Sequence, residues 1–270
     1  MRKIRIYLFS ITRRFFYLIL GMTDQLLGRK NKIVVLCYHT VSDSNWVFDT
    51  ELKDLEKQMK YMLTKYKPIS MSDLLLFLNG KKVIDTPSFV VNFDDGYKSI
   101  MKSRSMFFKF NIKPIVFLIA NKKRVDRKEL NNKNELLGRN DIKLLRKSGW
   151  EIGGHSMTHR LLDNCNNPEL LYEVEKSKAV LEKSTKHKID YFSYPQGAYS
   201  NRVLKQVEGA GYKLAVSMDD DLINSKTNRF VVPRIGVNAT LSFAEFKYSI
   251  SPSVVWFRGF IKKYIYKKFI

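Results

Sequence analysis

Two aspartates and three histidines hold most of the chemistry this sequence can offer. His155 and His159 stand four residues apart in His155-Ser156-Met157-Thr158-His159. That spacing lets two imidazoles share one face of a helical turn and bind one metal ion, although a purely structural pair fits it too. Asp94 and Asp95 are adjacent, in Asp94-Asp95-Gly96-Tyr97. Neighbouring carboxylates repel, so a bound cation gives one of them a reason to be there and leaves the other available as a base. Two histidines with one carboxylate make a centre with open coordination positions, the arrangement that metal-assisted hydrolysis requires. A third histidine, His39, ends the apolar run Val35-Leu36-Cys37-Tyr38, whereas His187 lies in an ordinary basic turn.

The elements that must position these groups follow an α/β rhythm. Short apolar runs at 32–37, 88–93, 114–119, 150–153, 190–194 and 214–217 read as strands, several of them continuous as in a buried parallel sheet. Amphipathic stretches at 52–64, 72–78, 141–147, 168–184 and 201–210 read as helices between them. This alternation predicts a barrel or a doubly wound sheet, in which chemistry lies beyond the C-terminal ends of the strands. His39, the Asp94-Asp95 pair and the two spaced histidines all follow such strand ends. A chain of 270 residues with 44% hydrophobic residues suits one barrel-sized domain, and two cysteines, Cys37 and Cys165, are too few for a disulfide framework.

At this point the motifs resemble a known family. Asn92-Phe93-Asp94-Asp95-Gly96-Tyr97 is similar to the first signature of the polysaccharide deacetylases, carbohydrate esterase family four or the NodB-homology family, and His155-Ser156-x-x-His159 to the second. The resemblance spans about residues 33–237. It implies a distorted (β/α) barrel of about seven strands that hydrolyses N-acetyl groups of amino sugars in a polysaccharide or lipid-linked glycan. It also makes Asp94 the general base and Asp95, His155 and His159 the ligands of a divalent metal, with zinc as the first expectation. Phe192-Ser193-Tyr194-Pro195-Gln196-Gly197 resembles the third motif, which would assign an oxyanion-binding backbone N–H to Gln196.

Two departures from the family pattern matter. Ser193 stands where the family carries an arginine that orients the base; Arg234, in Val232-Pro233-Arg234-Ile235, is the candidate replacement, and an ordinary surface or structural arginine is the other reading. No histidine follows residue 187, so the family's C-terminal source of a general acid is missing. His39 can fill that gap, because its motif resembles the circularly permuted branch of the family, with a core histidine as the alternative. The missing arginine also keeps open a catalytically silent glycan-binding relative. A metalloprotease fits poorly, since Ser156 stands where the base of HExxH would be.

The formal net charge is +22, and more than half of it lies at the two ends. Residues 1–32 hold eight basic residues against Asp24, and residues 251–270 hold five and no acid. Both ends are also rich in large apolar residues, which favours an anionic membrane surface over nucleic acid, for which no binding signature is present. Ser251 and Pro252 can open a C-terminal helix with a basic stripe of Arg258, Lys262, Lys263 and Lys267 and a broad apolar face, unless that helix simply packs on the barrel. Arg13 and Arg14 interrupt the apolar N-terminal run and argue against a transmembrane helix or a cleaved signal. The organisation expected is therefore a basic amphipathic segment at 1–31, a catalytic domain at 32–250 and a basic amphipathic helix at 251–270, on or anchored to a membrane.

Overall fold

The computed structural model describes residues 2–44, 46–125, 130 and 135–264, with side chains between residues 14 and 262 of those ranges. Its strands grow from β-branched and aromatic runs that are buried on both faces. They are β1 (Ile33–Tyr38), β2 (Lys67–Pro68), β3 (Ser88–Phe93), β4 (Ile115–Leu118), β5 (Glu151–Gly154), β6 (Tyr191–Ser193), β7 (Leu214–Val216) and β8 (Ile235–Gly236). Every pairing is parallel, in the order β7-β6-β5-β4-β3-β1-β8, with the stub β2 against the start of β3.

The two edges of this sheet meet. Val232 pairs with Val216 of β7, and Ile235–Gly236 pairs with Leu36 and Cys37 of β1. One short segment, bent at Pro233-Arg234, therefore hydrogen-bonds to β7 at its start and to β1 at its end. The result is the distorted barrel of seven staves that the family resemblance implies.

Side chains alternate between the faces of each strand, which sorts the barrel into two apolar layers. Val34, Leu36, Phe89, Val91, Phe93 and Val116 pack outward under the helices. Ile33, Val35, Val90, Ile115, Phe117, Leu214 and Val216 form the other layer, joined by Met71, Leu74 and Phe77 of a helix. Continuing the second set by steps of two leads from Val35 to Cys37 and from Val90 to Asn92 and Asp94. That face is thus apolar at the N-terminal end of the strands and polar at the C-terminal end, where the site lies.

Around the barrel run α1 (Arg2–Leu26), α2 (Leu52–Lys65), α3 (Met71–Leu78), α4 (Arg104–Lys109), α5 (Arg139–Lys147), α6 (Asn167–Leu171), α7 (Ser177–Thr185), α8 (Asn201–Gly209), α9 (Phe243–Ser249) and α10 (Pro252–Tyr264). Capping explains several starts: Ser70 with Asp73, Asn166 with Glu169 and Ser242 with Glu245 form reciprocal capping boxes. The continuous helix expected at 168–184 is instead α6 and α7 joined by a π turn at Tyr172–Lys176.

The terminal helices pack on each other and on α9. Phe16 stacks on Phe257 at 5.3 Å, and Arg14 reaches Glu245 at 3.4 Å. Ser251 does not cap α10. Asp24 of α1 does so from a distance in sequence, accepting from the Ser253 N–H and hydroxyl at 2.7 Å each. Half of the expected basic stripe also turns inward: Arg258 and Lys262 both pair with buried Asp220, at 2.7 and 2.8 Å, and Val254 and Val255 are buried. The more distal Lys267, Phe269 and Ile270 lie outside the described residues. Among the described residues no helix is long and apolar enough to cross a membrane.

Candidate metal centre and active site

Asp95, His155 and His159 converge from two loops. The Nε2 atoms of His155 and His159 lie 3.3 and 3.4 Å from Asp95 Oδ1, an oxygen that is buried and accepts no hydrogen bond. The tetrahedral edge of a site with bonds of about 2.0–2.1 Å is roughly 3.3–3.4 Å, so this spacing fits a cation among the three atoms. His155 Nδ1 bonds the Ser193 carbonyl oxygen at 2.7 Å, which fixes the ring and leaves Nε2 facing the centre.

The two histidines do not share a helical turn. Ser156 and His159 both have positive φ, 61° and 65°, and Ser156 Oγ accepts from the His159 N–H at 2.9 Å. The loop is pinned from both sides. Its Ser156 and Met157 carbonyls accept from Ala120 and Asn121, while buried Glu173, on the π turn, accepts from the N–H groups of Met157 and Thr158 and from the Thr158 hydroxyl. Asp95 is also left-handed, with φ 68°, so backbone strain gathers at this centre.

Adjacent in sequence, Asp94 points elsewhere and sits in a cage of donors. Arg234, 1% exposed, donates from Nη1 to Asp94 Oδ1 at 2.8 Å and from Nη2 to Ser193 Oγ at 3.0 Å, and its Nε donates to the Ser217 carbonyl at 2.9 Å. Ser193 in turn donates to Asp94 Oδ2 at 3.2 Å, Asn92 Nδ2 to Oδ1 at 3.1 Å, and the Cys37 thiol lies 3.6 Å from Oδ2. Arg234 is therefore a buried partner of Asp94, on the bent segment that closes the barrel. It is not a surface arginine.

The electrostatics follow from this burial. Burial pushes Asp94 upward, but the Arg234 guanidinium and His155 outweigh it and hold the carboxyl far below its usual range. Asp95 is likewise lowered, by its histidine neighbours against burial. Burial and the nearby His155 bring His159 down to about 4, which leaves a neutral imidazole suited to ligation. His155 is raised, because Asp94 and Asp95 overcome its burial.

His39 follows β1 and faces the same end of the barrel. Its ring lies 4.7 Å from the Phe48 ring and edge-on to Trp46 at 6.3 Å, and its Nδ1 is buried with no hydrogen-bond partner. Ligand atoms of His39, Cys37 and Asp94 lie within 4.8 Å of one another. Burial lowers the pKa of His39, although both aspartates oppose the shift. Gln196 sits in the turn after β6 with φ 59°, and Gly197 beside it, at φ 71°, has no room for a Cβ against Met218.

Sequence reasoning missed Asn92, Cys37 and Glu173. The first two carried a signal: they are paired across β1 and β3, and Asn92 lies two residues from Asp94, hence on the same face. Glu173 carried none, being one of several acids on an amphipathic helix.

A parallel barrel that gathers two histidines and a carboxylate beside a caged second carboxylate defines a hydrolase of the metal-assisted class. The chain belongs to the polysaccharide deacetylase family, whose model matches residues 81–215, half of its length. It is accordingly a hydrolase acting on N-acetyl groups of glycans. It is 23% identical over 217 residues to YxkH of Bacillus subtilis (strain 168), covering 80% of this chain and 75% of that one. It is also 21% identical over 236 residues to the poly-β-1,6-N-acetyl-D-glucosamine N-deacetylase of Staphylococcus aureus (strain MRSA252), covering 78% and 80%. Among solved structures, the Streptococcus pyogenes deacetylase PplD in complex with acetate superposes with a TM-score of 0.71 at 18% identity, over 82% of this chain and 99% of that one. IcaB from Ammonifex degensii gives 0.70 at 21%, over 82% and 98%. These structural likenesses concern the fold.

Proposed function

We propose that the chain removes acetyl groups from a polymer of N-acetylated amino sugar, with a divalent metal, zinc first, held by Asp95, His155 and His159. The observation that carries this reading is the buried, unpartnered Asp95 Oδ1 set at tetrahedral spacing from two Nε2 atoms. A bound divalent ion supplies Lewis acidity toward the acetyl carbonyl and a water of lowered pKa. Asp94, ionised throughout the neutral range and oriented by Arg234, Ser193 and Asn92, accepts a proton from the attacking water. The Gln196 backbone N–H assists the developing oxyanion. His39 delivers a proton to the leaving amine; because burial holds it neutral at rest, it must first take one up. Water and the acetamide thus yield acetate and a free amine.

The polymer named for the Staphylococcus aureus relative, poly-β-1,6-N-acetyl-D-glucosamine, is the first substrate to test. Acetate release from it, abolished by chelator and restored by added zinc, is the expected result. Release that survives complete metal removal would sink the metal assignment, and binding without release would favour the silent glycan-binding reading.

The same reading places the protein on an anionic membrane surface. What supports it is an exposed apolar stripe on α1, with Phe15, Leu18, Ile19, Met22 and Leu26, flanked by exposed Trp256 and Phe260 on α10, in a strongly basic chain.

A further inference from the structure

At the end of the barrel away from the aspartates, a cavity of about 350 Å³ opens between α1, α2 and the α9–α10 corner. It lies where the chain enters β1, so it shares no residue with the active site. Four cationic side chains line it from three directions: Arg29 and Lys30 after α1, Lys65 at the end of α2, and Lys247 of α9. Among the described residues none of the four is in an ion pair. The basic residues of α10, by contrast, have Asp220 as their partner.

Two further observations separate this cavity from a merely basic surface. Ser251 lines it, and its hydroxyl is buried without a hydrogen-bond partner. A buried donor left unmade is costly, and a turn of the Ser251 side chain toward the cavity would bring its hydroxyl, now covered, to a ligand oxygen. The one acid in the lining, Asp24, does not compete, since both its oxygens are taken by Ser253 at the start of α10. Four cations without a carboxylate partner among the described residues, one of them, Lys247, standing over the Phe243 and Tyr248 rings, together with an unsatisfied hydroxyl describe a host for a compact polyanionic group.

We propose that this cavity binds a phosphate group. The chemistry is that of a lipid headgroup phosphate, and free phosphate shares it. Exposed Leu26 and Leu27 precede Arg29 by three and two residues, so a headgroup in the cavity would place its acyl chains beside the apolar stripe of α1. This inference is independent of the deacetylase activity, and its lipid arm rests on the membrane association proposed above.

The test uses the full chain with two probes: glycerol 3-phosphate by calorimetry, and flotation with vesicles of phosphatidylglycerol in phosphatidylcholine. Three variants are compared: Lys65→Gln/Lys247→Gln, the uncharged change Ser251→Ala, and a charge-matched control on α5, Lys143→Gln/Lys147→Gln. The cavity double variant is expected to weaken binding about tenfold or more. Ser251→Ala should weaken it several-fold with no change of charge, and the control should leave it as in the parent protein. Loss in flotation, with or without loss of glycerol 3-phosphate, assigns a lipid headgroup; loss of the soluble probe alone assigns free phosphate. An equal response of cavity variant and control, or binding that no cavity substitution changes, overturns the site.

Discussion

Asp94 and Asp95 differ in every neighbour although one peptide bond joins them. The left-handed turn at Asp95 sends its carboxylate to the histidines while Asp94 stays on the inner face of the strand. Asp95→Asn is therefore expected to lower metal content, and Asp94→Asn to keep the metal and lose turnover by about 10²-fold or more. Metal analysis and single-turnover rates on the same preparations check both; the opposite pattern would exchange the roles. Arg234→Met should cost roughly 3–5 kcal/mol, because it leaves a buried carboxylate without its cation. The sign with pH follows. A carboxyl held below its unfolded value of about 3.9 contributes stability that is complete above that pH and is lost as the pH falls toward the folded value. The parent protein should thus lose melting temperature more steeply than Arg234→Met between about pH 4 and pH 2. Parallel acid limbs would contradict the assignment. His39→Ala separates catalyst from core: turnover should fall at unchanged metal content and melting temperature, whereas a structural histidine would lower the melting temperature first.

At the scale of elements, the histidine loop depends on a helix irregularity. Glu173 points its carboxylate at three donors of the loop from a π turn, a distortion often found at functional sites. Glu173→Ala should lower metal affinity about 10–100-fold, measured by competition with a chromogenic chelator, and substrate affinity should follow only through the metal. Unchanged metal affinity would reduce Glu173 to a fold-stabilising role. Six of the eight strands were legible in the sequence to within about a residue, because continuous apolar runs have few other uses in a barrel; the two-residue strands β2 and β8 were not. The helix reading of His155-x-x-x-His159 was wrong for a physical reason. Spacing reports which residues can meet, and here a loop with two left-handed residues brings them together as well as a helical turn would. Arg234 was legible only as a candidate, since its pairing with Asp94 depends on β8, a two-residue strand too short to leave a periodic signal. The helix α9 was missed likewise, although Ser242 and Glu245 carry its capping-box spacing.

At the scale of the molecule, the proposed membrane contact rests on the exposed apolar side chains of α1. Replacing Leu18, Ile19 and Met22 together by Ser should reduce flotation with anionic vesicles and leave acetate release from a soluble oligomer unchanged, since the three side chains are exposed and none belongs to the candidate site. Loss of both together would point to misfolding and is separable by the melting temperature. The closing segment at 232–236 has a consequence for how the enzyme comes into being. β1, near the beginning of the chain, finds its second neighbour only in β8, about two hundred residues later, and the loop closure this demands makes the contact a late one. Arg234 arrives with it. A nascent chain that has not yet delivered this stave carries Asp94 without its cation and β1 with an open edge. Delivery of this stave and the pairing of Asp94 with its cation are one event, so a chain partly made or partly unravelled at this seam lacks the buried pair on which the proposed general base depends.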